Sequence, residues 1–378
     1  MLTAKRPSSV TFFDAYPHVT GGSHQVSITI ATELRSRTGV HFLTTGEGPF
    51  TEELDSLGFD RSVVQLPGSL MTYGHNTQGH KAMLAASLLP LAWDRIRRRI
   101  PPGTDILHAS DLRGVLLAGP AARAMKVPVV WHVHLGERST TLNRLAGLTS
   151  NSIVIPDPST LESAPGLPMQ KVQVVPNAVQ HDVLARDPVT RGGCRLVTSS
   201  RLVPQKGLDL LLEAVASVRN SFSAIRLDVF GGEQKGYEAY ARKIRLRLTE
   251  LGLDQTVTLR GHRSRPYTYW SEAAVYVQAS RWENYPVAVL EAMALGLPVV
   301  ATDVGAMAKI VENGRTGILV PPGDPPSLAL AIIRLLDNPV EADAMGSAGR
   351  ERVLRDFVPS VMANRIMSIF EAVTVGSN

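Results

Sequence analysis

Apolar residues along this chain fall into short runs, separated by longer stretches in which they recur every third or fourth position. The runs at 9–13, 40–44, 62–65, 105–109, 127–134, 152–155 and 172–175 are short and bounded by turn residues, so they read as strands. The periodic stretches at 23–37, 51–58, 81–99 and 112–125 read as helices. A segment of linker composition, DPVTRGG at 187–193, follows, and the pattern then restarts. Strands are expected at 195–199, 225–230, 256–260, 275–279, 298–302 and 318–320. Helices are expected at 207–219, 237–251, 267–272, 286–295, 325–337, 341–356 and 359–373. Strands alternating with helices in both halves predict an α/β protein with two doubly wound parallel sheets facing each other. The expected division is 1–186, 187–358 and a C-terminal segment 359–378.

Composition narrows this picture. A chain of 378 residues accommodates two domains with separate cores, and 44% hydrophobic with 19% charged residues describes a globular protein. The single cysteine, Cys194, excludes an intramolecular disulfide and a cysteine-rich metal site, and suits a reducing, cytoplasmic setting. The first residues lack the apolar core of a signal peptide, and no apolar run reaches the length of a membrane span. The net charge of +5 admits anionic partners. Nucleic acid is not expected, because the basic residues are scattered and aromatics are only 6%. Trp93 and the cations Arg95, Arg97, Arg98 and Arg99 end one helix. They suit a solvated face and a helix C-terminus better than a membrane surface.

The richest stretch is 278–302, QASRWENYPVAVLEAMALGLPVVAT. A strand ends in a polar loop, a helix opens near Pro286 and stops at Gly296, and a second strand begins at Pro298. Glu283 in the loop and Glu291 on the helix have seven residues between them. The helix N-terminus between the two carboxylates is a ready anion site. Hydroxyls at both ends and phosphate in the middle describe the fitting ligand, and a nucleotide-sugar has that form. Upstream, SSRLVPQKG places Arg201 and Lys206 after a strand, where a guanidinium fork and an ammonium suit a diphosphate. Such cations would stabilise a nucleotide diphosphate as a leaving group. The chain has no DxD motif, so no metal ion and no cofactor are expected. Gly21 and Gly22 lie between the first strand and first helix, where backbone could approach a ligand or simply turn tightly. His132 and His134 share a strand face, but no third ligand is spaced for a metal. The polar segment 69–80, with His75 and Asn76, has the character of an acceptor-side loop.

These motifs resemble the family 4 glycosyltransferases, retaining enzymes of GT-B fold. RWENYPVAVLEAMALGLPVVAT looks like that family's E-x7-E signature, and SSRLVPQKG is similar to its arginine-to-lysine-glycine loop. Gly21-Gly22, 105–108, Pro176-Asn177, Gly231-Gly232 and GILVPPGD at 317–324 also fit. The resemblance implies two Rossmann-like domains facing a central cleft, with the last helix crossing back to the N-terminal domain. It implies Glu291 on the ribose hydroxyls, and Glu283 with the Asn284, Tyr285, Pro286 and Val287 segment on the donor sugar and distal phosphate. It further implies Arg201 and Lys206 on the diphosphate, with Gly21, Gly22 and Gly232 nearby. His134 would contact the donor sugar, and the turn with His262 and Arg263 would lie by the base. His132 is not a usual family feature and is assigned, with His75 and Asn76, to the acceptor side. Asn177-Ala178-Val179-Gln180 departs from the family's NGVD. The expected reaction moves a hexose or N-acetylhexosamine from a nucleotide-diphosphate sugar, UDP-linked by first choice, to a hydroxyl acceptor such as an aminocyclitol, aglycone or glycan precursor. A pseudo-glycosyltransferase, another GT-B nucleotide-sugar enzyme and a non-catalytic nucleotide-sugar-binding protein stay open as alternatives. The acceptor and the oligomeric state have no signal in the sequence.

Overall fold

The computed structural model describes residues 6–18, 21–71, 86–134 and 136–375. Its chain divides into two compact units, 1–176 with 359–378, and 177–358. The first carries strands β1 (Ser9–Asp14), β2 (Gly39–Thr44), β3 (Asp60–Val63), β4 (Ile106–Ser110), β5 (Val129–His132), β6 (Ser152–Ile155) and β7 (Val172–Val174). They form a parallel sheet in the order β3-β2-β1-β4-β5-β6-β7. The second carries β8 (Arg195–Ser199), β9 (Arg226–Phe230), β10 (Val257–Gly261), β11 (Val275–Gln278), β12 (Val299–Thr302) and β13 (Gly317–Val320). Their order is β10-β9-β8-β11-β12-β13, again parallel. Both orders reverse once beside the first strand, which defines a doubly wound sheet with one switch point per unit.

The central strands explain the apolar runs. Leu196, Val197, Val229, Val275, Val277, Val299 and Val300 have essentially no exposed surface, because helices cover both faces. The helix Pro359–Val375 belongs to the first unit, where Met362, Ala363, Ile366 and Phe370 are buried. The Phe370 ring lies 5.9 Å from that of His108 on β4.

Three expectations change. The division falls at 176/177 and not at 187, because Val179 and Val183 are buried with Trp270, Val289 and Phe357 of the second unit. Val179 N–H also donates to the Phe357 carbonyl, 3.0 Å away. The linker-like 187–193 is therefore a surface loop of that unit, held by Val189 N–H to the Leu295 carbonyl (2.8 Å) and by Arg191 on Asp343 (2.7 Å). The helix expected at 81–99 is described from 86 onward, with its regular part at Leu89–Arg97. A helix at Thr140–Thr149 appears where no element is expected, since its apolar face is narrow and Leu145 and Leu148 remain exposed. Among the described residues no helix is long and apolar enough to cross a membrane.

Candidate active site

The second unit's switch point lies between β8 and β11, at the carboxyl ends of the strands. The loop after β8 ends in a single turn, Pro204–Lys206, and then Gly207 at φ 60°. A Cβ on Gly207 would stand 2.0 Å from the Ala279 carbonyl oxygen, so only glycine lets this loop lie against the one after β11. Arg281 N–H donates to the Gln205 carbonyl at 2.8 Å. The Arg281 guanidinium reaches the Pro204 carbonyl (3.1 Å) and both carboxylate oxygens of Asp209 (2.7 and 3.0 Å).

Joined in this way, the loops bring Lys206 to Glu283, with Nζ 2.5 Å from Oε1. Glu283 is buried, and its Oε1 also accepts from Ser280 Oγ at 2.7 Å and Gln278 Nε2 at 2.9 Å. Arg201 lies exposed on the loop after β8 and donates to Gln234 Oε1 at 2.7 Å. Leu202 N–H donates to the Gly232 carbonyl at 3.0 Å, and Gly232 backs onto His262. Arg263 stacks its guanidinium 5.9 Å from the Tyr269 ring centre. Arg201, Gly232, His262 and Arg263 thus share one rim of the second unit.

Pro286 caps the helix Val287–Ala294, which carries Glu291. Two supports for this segment went unread in the sequence. Gly305, at φ 56°, packs so closely that a Cβ would stand 1.9 Å from the Glu283 carbonyl oxygen, and Ala306 N–H donates to the Asn284 carbonyl at 3.2 Å. The TDVGA stretch after β12 was the available signal. The second support is Asp182, whose carboxylate accepts from Tyr267 Oη at 2.5 Å. Burial pushes the Glu291 carboxyl up to about 8, and the charge of Asp182 adds to the shift. Asp182 carried no local signal, and its segment was assigned to the other domain.

In the first unit, Gly21 and Gly22 begin the helix Gly22–Leu34, and a Cβ on either meets no described atom within 4 Å. Among the described residues, packing therefore does not demand glycine there. Near the carboxyl end of β1, His24 Nε2 lies 3.4 Å from Asp14 Oδ1, and the pair is buried. His134 N–H donates to Asp111 Oδ1 at 2.9 Å, and burial holds the His134 imidazole down to about 3, so it is neutral near pH 7. Its ring stacks on His132 at 4.1 Å. His132 is fully buried, with Nδ1 3.3 Å from His108 Nε2. Its position is a core one, which leaves no surface for the acceptor contact expected of it. His75 and Asn76 lie outside the described residues. Among the described residues no group of three or more His, Cys, Asp or Glu is arranged to hold a metal ion.

Residues 193–338, the segment that builds this site, match the family described as Glycosyl transferases group 1. A phosphatidyl-myo-inositol mannosyltransferase of Mycobacterium leprae is 29% identical over 306 residues, spanning 76% of this chain and 79% of that protein. This segment of the chain is thus of the group 1 glycosyltransferase type. Solved structures bear on the fold. The Anabaena protein HepE, crystallised with UDP and glucose, superposes with a TM-score of 0.79 at 19% identity, over 96% of this chain and 99% of its own. Sucrose-phosphate synthase of Thermosynechococcus elongatus superposes with a TM-score of 0.77 at 20% identity, over 98% of this chain and 100% of its own. The architecture is accordingly GT-B, with two Rossmann-like units.

Proposed function

We propose that this glycosyltransferase moves a hexosyl or N-acetylhexosaminyl group, with retention at the anomeric carbon, from a UDP-sugar to a hydroxyl acceptor. The observation that carries the reading is the Lys206–Glu283 pair at the switch point, with Arg201 on the same loop and Glu291 on the following helix. In this reading Glu291 accepts the ribose hydroxyls. Arg201 and Lys206 meet the diphosphate, and Glu283 accepts a hydroxyl of the donor sugar.

As the glycosidic bond to the diphosphate breaks, negative charge builds on the phosphate next to the sugar. Lys206 and Arg201 offset it in place of a bound cation. The oxocarbenium-like carbon is attacked by the acceptor hydroxyl from the face the diphosphate leaves, and the departing phosphate oxygen takes the hydroxyl proton. The UDP bound to HepE supports the nucleotide, and the inositol unit in the name of the Mycobacterium leprae relative supports a cyclitol-type acceptor.

The test is mass spectrometry of products from UDP-, GDP- and ADP-sugars against cyclitol, aminocyclitol and glycan acceptors. Transfer from a UDP-sugar is expected, and Lys206→Ala and Glu283→Ala should each lose it while keeping the fold. Absence of turnover or binding with every donor would overturn the reading. Full activity in either variant would overturn the assignment of the pair.

A further inference from the structure

Glu283 faces a mechanical problem in the proposed reaction. In the free protein Lys206 holds its Oε1 at 2.5 Å. An arriving diphosphate competes for the same ammonium. If Lys206 were the only tether, the carboxylate would be released just when it has to meet the sugar.

The hydrogen bonds beneath Glu283 answer this. Ser199 N–H donates to Tyr276 Oη at 3.4 Å, and Tyr276 Oη donates to Gln278 Oε1 at 2.7 Å. With its oxygen taken, the Gln278 amide must present its nitrogen, which donates to Glu283 Oε1 at 2.9 Å and lies 2.8 Å from Ser280 Oγ. Ser280 Oγ donates to the same Oε1 at 2.7 Å. Oε1 thus accepts from Lys206, Gln278 and Ser280, whereas Oε2 accepts none among the described residues. Tyr276, Gln278 and Ser280 are essentially unexposed, so water does not compete for these bonds. The backbone at Ser280 is held separately, by Thr302 Oγ1 donating to its carbonyl at 2.6 Å.

We propose that Tyr276, Gln278 and Ser280 are positioning residues for sugar transfer: they keep Glu283 Oε1 saturated when Lys206 turns to the diphosphate, so that Oε2 alone faces the donor-sugar hydroxyl. This rests on the reading of Glu283 as a sugar-contacting carboxylate. Tyr276 acts at two removes, by setting which end of the Gln278 amide points at Glu283. A carboxylate with one free oxygen accepts a hydroxyl at one position of the ring, which makes the relay a determinant of sugar preference as well as of rate.

The experiment compares wild type with Ser280→Ala, Ser280→Thr, Tyr276→Phe and Glu283→Gln, measuring kcat and KM for a UDP-sugar and Kd for UDP alone. UDP lacks the sugar, so a pure positioning effect on Glu283 leaves its Kd within about twofold. Ser280→Ala and Tyr276→Phe should each lower kcat about 10- to 100-fold, the range expected when a reacting group is displaced by about 1 Å. Ser280→Thr keeps the hydroxyl and should recover most of the rate. Loss of UDP affinity in parallel with kcat, or failure of Ser280→Thr to recover, would show a merely structural role and overturn the proposal. Wild-type kcat in both relay variants alongside a defective Glu283→Gln would also overturn it. Wild-type kcat in Glu283→Gln would instead overturn the reading of Glu283 itself.

Discussion

Replacing Glu291 by Gln removes a titratable group whose carboxyl is pushed from 4.5 up to about 8 by burial and by Asp182. Between those values the folded protein keeps the proton and the unfolded chain has released it. Stability contributed by this group is therefore complete below pH 4.5 and declines as pH rises towards 8. From pH 6 to pH 8 the decline is roughly 2 kcal/mol, since each pH unit inside the window is worth about 1.4 kcal/mol and the slope flattens near the upper pKa. In a unit of this size that corresponds to ~5 °C in Tm. Glu291→Gln should remove this alkaline slope and raise Tm at pH 8 relative to wild type.

Ligand binding reads the same proton with the opposite sign. Ribose hydroxyls donating to Glu291 favour the carboxylate, so binding of a UDP-sugar releases a proton near pH 7. The probe is UDP-glucose, whose phosphates do not titrate in this window. Its affinity should rise by nearly tenfold from pH 6 to pH 7 and level off above pH 8. Glu291→Gln should bind more weakly at pH 8 and without pH dependence. Calorimetric titrations in buffers of different ionisation enthalpy measure the released proton directly. A flat wild-type affinity from pH 6 to pH 8.5, or an alkaline Tm slope unchanged in Glu291→Gln, would refute the reasoning.

Other outcomes follow from the same structure. Gly305→Ala places a methyl against the Glu283 carbonyl and strains a left-handed backbone, so it should cost on the order of 1–3 kcal/mol by chemical denaturation and depress transfer more than UDP binding. Arg281→Ala frees the loop carrying Lys206 from the one carrying Glu283; the pair with Asp209 is part-exposed, so Tm should fall by only a few degrees while kcat falls further. In the first unit, burial holds His108 down to about 3 and His132 well below its ordinary value. Both stay neutral when folded and take a proton when unfolded, so that unit should lose stability as pH falls from 6.5 towards 3, and circular dichroism should show His108→Phe flattening this acid slope. Phe370→Ala, which empties the space beside His108, should cost about 3–5 kcal/mol and lower the thermal transition of that unit.

The alternation of buried strands and helices, and with it the doubly wound class, was legible along the chain because side-chain period is a local property. So were the residues whose chemistry depends on near neighbours in sequence: Glu283 and Glu291 around one helix N-terminus, and Arg201 with Lys206 in one loop. The meeting of Lys206 with Glu283 was not, because 77 positions separate them and only the reversal of strand order between β8 and β11 brings their loops together. The boundary at 176/177 was missed for a similar reason. Linker-like composition at 187–193 marks exposure, whereas Val179 and Val183 are assigned by the core they enter. Strand alternation puts His132, expected on the acceptor side, on the same face as His134 but cannot say how deep that face lies. Glu291's proton and the need for Gly305 each depend on groups separated in sequence and buried together, and the Tyr276–Ser280 relay under Glu283, though local in sequence, depends on its burial. Burial and close approach are properties of the packed chain, and only the tertiary structure could decide them.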